Sequence, residues 1–470
     1  MPVNFKVVSP VDGSVFIERP EATPAQIARA LDVAQSAVRG WAAASIDDRI
    51  QVVSKAMEWM VGHRDEIARS ITMCMGRPIR WTGGEVDGMV DRAKYMMNIA
   101  GSSLADIDPG PKRGFRRFVR REPIGVVLVL SPWNYPYLTA VNAVVPALLA
   151  GNSVLLKHSD QTPLAAEHFR DAFGEAGLPA GVFQILHMNH DATHQVLGDD
   201  CIDHVCFTGS VAGGIAVNQA LAARTGRKRF INSGLELGGN DPAYVRTDAD
   251  IEHAAINIVE GVVFNSGQSC CGIERIYVHD SVYDRFIDAA IAAVDTWKLG
   301  DPREETTTLG PVVRQRNADA IRRHVTEAIE AGARPLIDTA AWLQDRADSP
   351  YLAPQLLANV DHSMAIMQDE TFGPCAGIMR VHSDEEAVDL MNDSAFGLTA
   401  SVWTADEAAA IAIGTQLETG TVFQNRCDYL DPSLAWTGVK HSGRGTTLSS
   451  IGFEHLTRPK SFHLRTKVSS

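Results

Sequence analysis

The feature that most constrains this chain is an alternation that begins after Pro123, where short aliphatic runs are each followed by a segment of helical length. The runs are VVLVLS at Val126–Ser131, SVLLK at 153–157, VFQIL at 182–186 and HVCFT at His204–Thr208. Runs that are apolar on both faces and separated by helices predict a parallel sheet covered on both sides. Ligands of such sheets bind at the carboxyl ends of the strands, where PWNYP, KHSD and FTGS stand. Between residues 25 and 100, apolar residues such as Ile27, Leu31, Ile50, Val53, Met57, Met60 and Ile67 recur at three- or four-residue spacing, predicting three helices. A second alternation follows Gly238, with helix-like stretches near Ala254, Asp284 and Asn317, so a second α/β domain is expected there. The tail from His463 is basic and extended in character.

The 470 residues are 45% hydrophobic and 21% charged, enough for two or three domains with large cores. The N-terminus MPVNFKVVSP has no basic stretch leading into an apolar one, and no apolar run approaches the roughly 20 residues of a membrane span. A soluble, cytoplasmic protein without a membrane partner is expected. Seven cysteines, odd in number and widely spread, make no disulfide framework, and without a CxxC pair or His-rich tract no metal is expected. The formal charge of -14 disfavours nucleic acid. Residues 112–121 (KRGFRRFVRR) dissent, with six positive charges interleaved with Phe115 and Phe118. They suit an RNA or membrane surface, or a solvated strand pair or subunit contact.

The GxGxxG fingerprint is absent. Gly209 and Gly214 instead flank the start of a helix after FTGS, where glycine serves either close approach of a phosphate or tight packing of the crossover. Cys270 lies in FNSGQSCC, ahead of a strand predicted at RIYV (275–278), and Glu236 lies 34 residues earlier in LELGG. A thiol is nucleophilic but little ionised at neutral pH, so covalent chemistry needs a neighbouring base or cation. Taken alone, Cys270 also fits a small buried hydrophobe and Glu236 a capping or solvated carboxylate. Asn134, between the rigid prolines of PWNYP, suits an oxyanion donor or an ordinary turn.

PWNYP, KHSD, FTGS, LELGG, FNSGQSCC and ETFGP (370–374) occur in the order and approximate spacing of the aldehyde dehydrogenase superfamily, which the chain resembles over nearly its whole length. MGRP, LGDP, LGPVV, FGLTASVWT and SGRG agree. The resemblance implies an α/β fold with a parallel-sheet cofactor domain at 1–105 and 126–237. It also implies a second α/β catalytic domain at 238–445 and a small β oligomerisation element at 106–125 and 455–470. Residues 112–121 then become part of that element, in a homodimer or homotetramer, and nucleic acid recedes.

The same resemblance implies NAD near Ser131, Trp133, Lys157, Asp160, Gly209, Ser210, Gly214, Leu237, Glu370 and Phe372. Lys157 is expected at the adenosine ribose, Ser210 and its helix at the pyrophosphate, and Glu370 at the nicotinamide ribose. Cys270 is the expected nucleophile, Asn134 the oxyanion donor, and Glu236 the general base that hydrolyses a thioester. Tyr135, Phe264, Tyr429 and Trp436 match regions bordering the substrate tunnel, suggesting an aromatic or medium-chain aldehyde. Arg426 leaves a semialdehyde open, against a salt bridge to Asp428. Asp160 stands where many NAD-preferring members have glutamate, and a carboxylate there repels the 2′-phosphate of NADP. Three positions depart from the common pattern: Ala143 and Thr447 replace a lysine and a glutamate linked to proton movement, and Asn240 replaces a lysine after LELGG. Two rival classes are a cysteine hydrolase or acyltransferase without hydride transfer and a non-catalytic relative.

Overall fold

The computed structural model describes residues 3–467. Residues 24–103 form four helices rather than three: Pro24–Ala43, Ile46–Gly62, Arg64–Met75 and Ile79–Ser103. The extra break falls at His63, whose φ/ψ of -108°/19° ends one helix and starts the next without a side-chain cap. An apolar period carries no mark of such a joint, because it resumes in phase on the far side. At Ser45 the break is chemically encoded, since its hydroxyl and Asp48 form a capping box.

Five parallel strands form the first sheet in the spatial order Asn232–Glu236, His204–Thr208, Val126–Ser131, Ser153–His158, Phe183–Ile185. All six residues of Val126–Ser131 are buried, each aliphatic side chain contributing about 1.5–3 kcal/mol of burial. The chain builds outward from this strand in one direction and then returns to its other side. The resulting switch point lies between the carboxyl ends of Val126–Ser131 and His204–Thr208, where crossovers diverge and leave a crevice. Gly443–Arg444 adds antiparallel to the free edge beside Leu235 and Glu236, so residues expected in the second unit complete the first sheet.

The second sheet runs Arg334–Pro335, Gln355–Ala358, Cys375–Val381, Ile273–His279, Asp241–Val245, Thr399–Trp403, Thr421–Gln424, parallel except at Arg334–Pro335. The predicted strands and helices after Gly238 are therefore present. Phe115–Pro123 pairs antiparallel with Thr457–Arg465 over nine residues. Phe118 stacks on Phe462 at 4.5 Å, and the Arg120 guanidinium lies over both rings. Residues 1–2 and 468–470, at the outer ends of the expected cofactor domain and oligomerisation element, lie outside the described residues. No helix among the described residues is long and apolar enough to cross a membrane.

Candidate active site

Cys270 follows a turn with three consecutive left-handed residues, Asn265, Ser266 and Gly267 (φ 53°, 58° and 69°). Such conformations cost non-glycine residues about 1–2 kcal/mol each, and side chains hold them here. The Asn265 amide donates to the carbonyls of Asn134 and Gln268, both at 3.1 Å. Gln268 Nε2 donates to Asn265 O at 3.0 Å, and Gln268 Oε1 accepts from the Val313 amide at 2.7 Å. A Cβ at Gly267 would fall 2.1 Å from Gly373 O, so glycine is required by close approach as well as by φ.

Below this turn lies a buried ion pair, Arg77 with Glu85, with side chains 2% and 0% exposed. Arg77 also donates to Asn265 Oδ1 (2.8 Å) and to Asn134 O (2.5 Å). Glu85 accepts the amides of Tyr137 and Leu138, two of the orphan donors that open the helix Pro136–Leu149. The loop bearing Asn134 is thereby fastened to the loop bearing Cys270. Asn134 is buried, and its Nδ2 donates to Gln268 O at 3.3 Å, leaving a second hydrogen for an oxyanion.

The two adjacent cysteines have different surroundings. Cys271 is buried and donates to Asp428 Oδ1 at 3.1 Å, and its contact with Cys270 together with burial raises its thiol pKa well above normal. Cys270 is half-buried on the wall of a cavity of about 480 Å³. Glu236 ends its strand on the same cavity. Thr208 Oγ1 donates to Glu236 Oε2 at 2.9 Å and Thr447 Oγ1 to Oε1 at 2.5 Å. Burial raises the Glu236 carboxyl above its ordinary range, while the two hydroxyls and the Arg92 guanidinium draw it back down. Arg92 also lines the cavity, held by Leu138 O (2.8 Å) and Asn142 Oδ1 (3.2 Å).

The glycines of LELGG have a spatial cause. A Cβ at Gly238 would lie 2.3 Å from the Glu370 carboxylate and one at Gly239 2.1 Å from Cys270 O. The Gly239 amide donates to Glu370 Oε1 at 3.0 Å, and burial raises the Glu370 carboxyl to about 7. Glu274 accepts the amides of Thr371 (2.8 Å) and Phe372 (2.7 Å), which positions the ETFGP turn and its left-handed Phe372. Trp133 meets Phe372 edge-on at 5.7 Å across the crevice.

Ser131, Lys157 and Gly209 stand at or beside the carboxyl ends of their strands. Lys157 is paired with Asp160 at 3.2 Å. Ser210 caps the helix Val211–Ala222 by accepting the Gly213 amide at 3.2 Å, which leaves the first amides of that helix for an anion. A Cβ at Gly209 would meet the Phe207 ring at 2.7 Å, and one at Gly214 would meet Leu237 at 2.8 Å. Crossover packing therefore accounts for these two glycines. The helix end at Ser210, the Lys157 ammonium and the Glu370 carboxylate form a donor and acceptor set that fits a dinucleotide.

Tyr135, Phe264, Tyr429 and Trp436 all line the cavity of Cys270 and Glu236. Arg426 forms no salt bridge with Asp428. Asp428 turns inward to accept from Ser269 Oγ (2.7 Å) and Cys271, and Arg426 lies over the Tyr429 ring at 3.4 Å. Asn240 is buried, with its amide nitrogen on Asp369 O at 2.9 Å.

A family model described as the aldehyde dehydrogenase family matches residues 2–462. The chain belongs to the aldehyde dehydrogenase family. It is 34% identical to an aldehyde dehydrogenase of Paenarthrobacter nicotinovorans, over 96% of this chain and 98% of that protein. It is 33% identical to the succinate semialdehyde dehydrogenase [NAD(P)+] Sad of Escherichia coli K12, over 96% and 95% of the two chains. A solved succinic semialdehyde dehydrogenase from Streptococcus pyogenes, in complex with NADP+, superposes with a TM-score of 0.92 at 28% identity, covering 98% of this chain and all of that one. Aldehyde dehydrogenases use NAD(P), act on small aldehydes and are commonly oligomeric.

Sequence spacing does not disclose Glu85, Arg92, Thr208 or Glu274 as parts of the site. Only Glu274, four residues after Cys270 in CCGIE, carries a local signal: a carboxylate adjoining the predicted strand, buried in the fold beside the equally buried Arg275.

Proposed function

We propose that this aldehyde dehydrogenase oxidises an aldehyde bearing a second, anionic end, a semialdehyde, to the corresponding acid. The observation that carries the substrate class is Arg426: it stands on the wall of the Cys270 cavity without an ion-pair partner among the described residues. A guanidinium already oriented on a tyrosine ring is ready to take a carboxylate with little further ordering. The likeness to a succinate semialdehyde dehydrogenase supports the same class. An aromatic or medium-chain aldehyde is the second reading, favoured by the four rings of Tyr135, Phe264, Tyr429 and Trp436.

In this reading Cys270 attacks the aldehyde carbon, and the oxyanion is held by Asn134 Nδ2 and the Cys270 amide. One such donor is worth about 10²- to 10³-fold in rate. Lys157, Ser210, Glu370 and the residues flanking them would hold the dinucleotide, which when bound would supply the acceptor for the hydride of the aldehyde carbon. Glu236 then takes a proton from water as the water oxygen attacks the thioester, the C–S bond breaks, and Cys270 leaves as thiolate. Cys271 takes no part, since its thiol is engaged by Asp428. NAD is the preferred dinucleotide because of the Asp160 carboxylate, although Lys157 offsets part of that charge.

Residues 1–105 and 126–237 serve as the dinucleotide domain and 238–445 as the catalytic domain. The ribbon of 106–125 and 455–470 joins subunits of a cytoplasmic homodimer or homotetramer. A two-stranded ribbon is marginal alone in water, and a partner subunit would cover it.

The test is the appearance of reduced nicotinamide with aldehydes of equal length that carry or lack a terminal carboxylate. In Arg426→Met, kcat/KM for the carboxylate-bearing aldehyde should fall about tenfold or more, as for a lost charged hydrogen bond, while the neutral one changes little. Equal losses for both would remove Arg426 from substrate recognition.

A further inference from the structure

Behind Glu236, on the side away from the Cys270 cavity, lies a second, much smaller cavity of about 30 Å³. Glu236, Thr208, Thr139 and Asn142 line both spaces, whereas Thr447, His204 and His455 line only the smaller one. A buried water needs roughly 10–15 Å³ and two to four polar partners, so this space holds about two waters. His204 supplies the independent sign of them. It is 1% exposed, and its Nδ1 has no hydrogen-bond partner among the described residues. A buried ring nitrogen without a protein partner, beside a void that Glu236, Thr208, Thr447 and Asn142 also line, is a place for bound water. Burial lowers the His204 pKa to about 4, so the ring is neutral at physiological pH and orders water without storing the proton.

Ala143 lines this cavity, and its small side chain is what leaves the space open. Thr447 can donate to Glu236 but cannot accept an acid proton and carry it outward as a carboxylate would. His455, in the turn Ile451–Leu456, is half-buried and so the more solvent-exposed of the two histidines that line the cavity. The groups facing it across the void are His204, Glu236 and Arg444, and Arg444 is engaged by Asn218 and Ser233.

We infer that this cavity is the proton outlet of the enzyme: the proton that Glu236 takes from the hydrolytic water passes through waters ordered by His204 to His455 and thence to solvent. The balance is simple. Hydrolysis of the thioester yields the acid, the Cys270 thiolate and one proton on Glu236, and the outlet returns Glu236 to its carboxylate without any other reactant. The inference rests on Glu236 being the base proposed above.

Hydrolysis of 4-nitrophenyl acetate isolates this half-reaction, because acylation of Cys270 releases nitrophenolate and deacylation sets the linear phase, with no dinucleotide present. His455→Gln should keep a burst of one nitrophenolate per site and slow the linear phase about a hundredfold, the low end of what a proton-transfer group contributes. Imidazole in the buffer should restore it. Ala143→Val, which fills the cavity, should slow the same phase without restoration by imidazole. An unchanged linear phase in both variants, or a burst that falls with it, would overturn the outlet. Glu236→Gln separates the two ideas: if it stalls deacylation while both cavity variants do not, only the outlet fails, whereas normal deacylation in Glu236→Gln removes the base itself.

Discussion

Thr447→Val tests the electrostatics of Glu236, the proposed general base, most directly. The Thr447 hydroxyl donates to Glu236 Oε1 at 2.5 Å, and the valine that replaces it has nearly the same shape. Hydrogen bonds to a charged group are worth about 1.5–3 kcal/mol. A donor bonded to the carboxylate stabilises the charged form, so its removal pushes further up a carboxyl already raised by burial. At 1.36 kcal/mol for each tenfold, the ionised fraction of Glu236 below its midpoint should fall by roughly one to two orders of magnitude. The linear phase of 4-nitrophenyl acetate hydrolysis, followed against pH, should show its acid limb displaced upward. Below the midpoint the rate should be depressed by that factor, and it should recover to near wild type on the alkaline side. A loss of equal size at every pH would mean that Thr447 only positions the carboxylate, and an unmoved profile would refute the assignment of Glu236 as the titrating base.

Cys270→Ser should abolish dehydrogenase turnover while dinucleotide binding, followed by nicotinamide fluorescence quenching or calorimetry, stays within a few-fold; near-normal turnover would sink the nucleophile. Glu236→Gln should still release one equivalent of reduced nicotinamide per site and then stall. Replacing Asp160 by Ser should raise kcat/KM with NADP about tenfold by removing a like charge from the 2′-phosphate, and an unchanged preference would place cofactor selection elsewhere. Arg77→Met strands Glu85 in the core, and breaking a buried pair in this way costs about 3–5 kcal/mol; a loss below about 1 kcal/mol in denaturant unfolding would show that Glu85 finds other partners.

The strand runs at Val126–Ser131 and His204–Thr208 were legible from the sequence to the residue, because strands covered on both faces read as short, largely apolar stretches, fully buried in the first case and partly in the second. The motifs LELGG and FNSGQSCC likewise announced themselves, and their glycines are demanded by close approaches to Glu370, Cys270 and Gly373. The fourth N-terminal helix was not legible, since the joint at His63 breaks the backbone without breaking the apolar period. Nor was the inward turn of Asp428, which releases Arg426 to the cavity mouth; neighbours in sequence pair only if their side chains share a side, and here they do not.

The sequence by itself determined the α/β class and singled out Cys270 and Glu236 as candidate nucleophile and base, because those readings rest on patterns a few residues long. Tertiary structure alone decided how they are tuned. Thr447 reaches Glu236 across 211 positions of chain, Arg77 reaches Asn265 across 188, and Glu85 reaches the Tyr137 amide across 52. Hydrogen bonds between segments so distant depend on how whole sheets and helices pack, and no local propensity or periodicity encodes them.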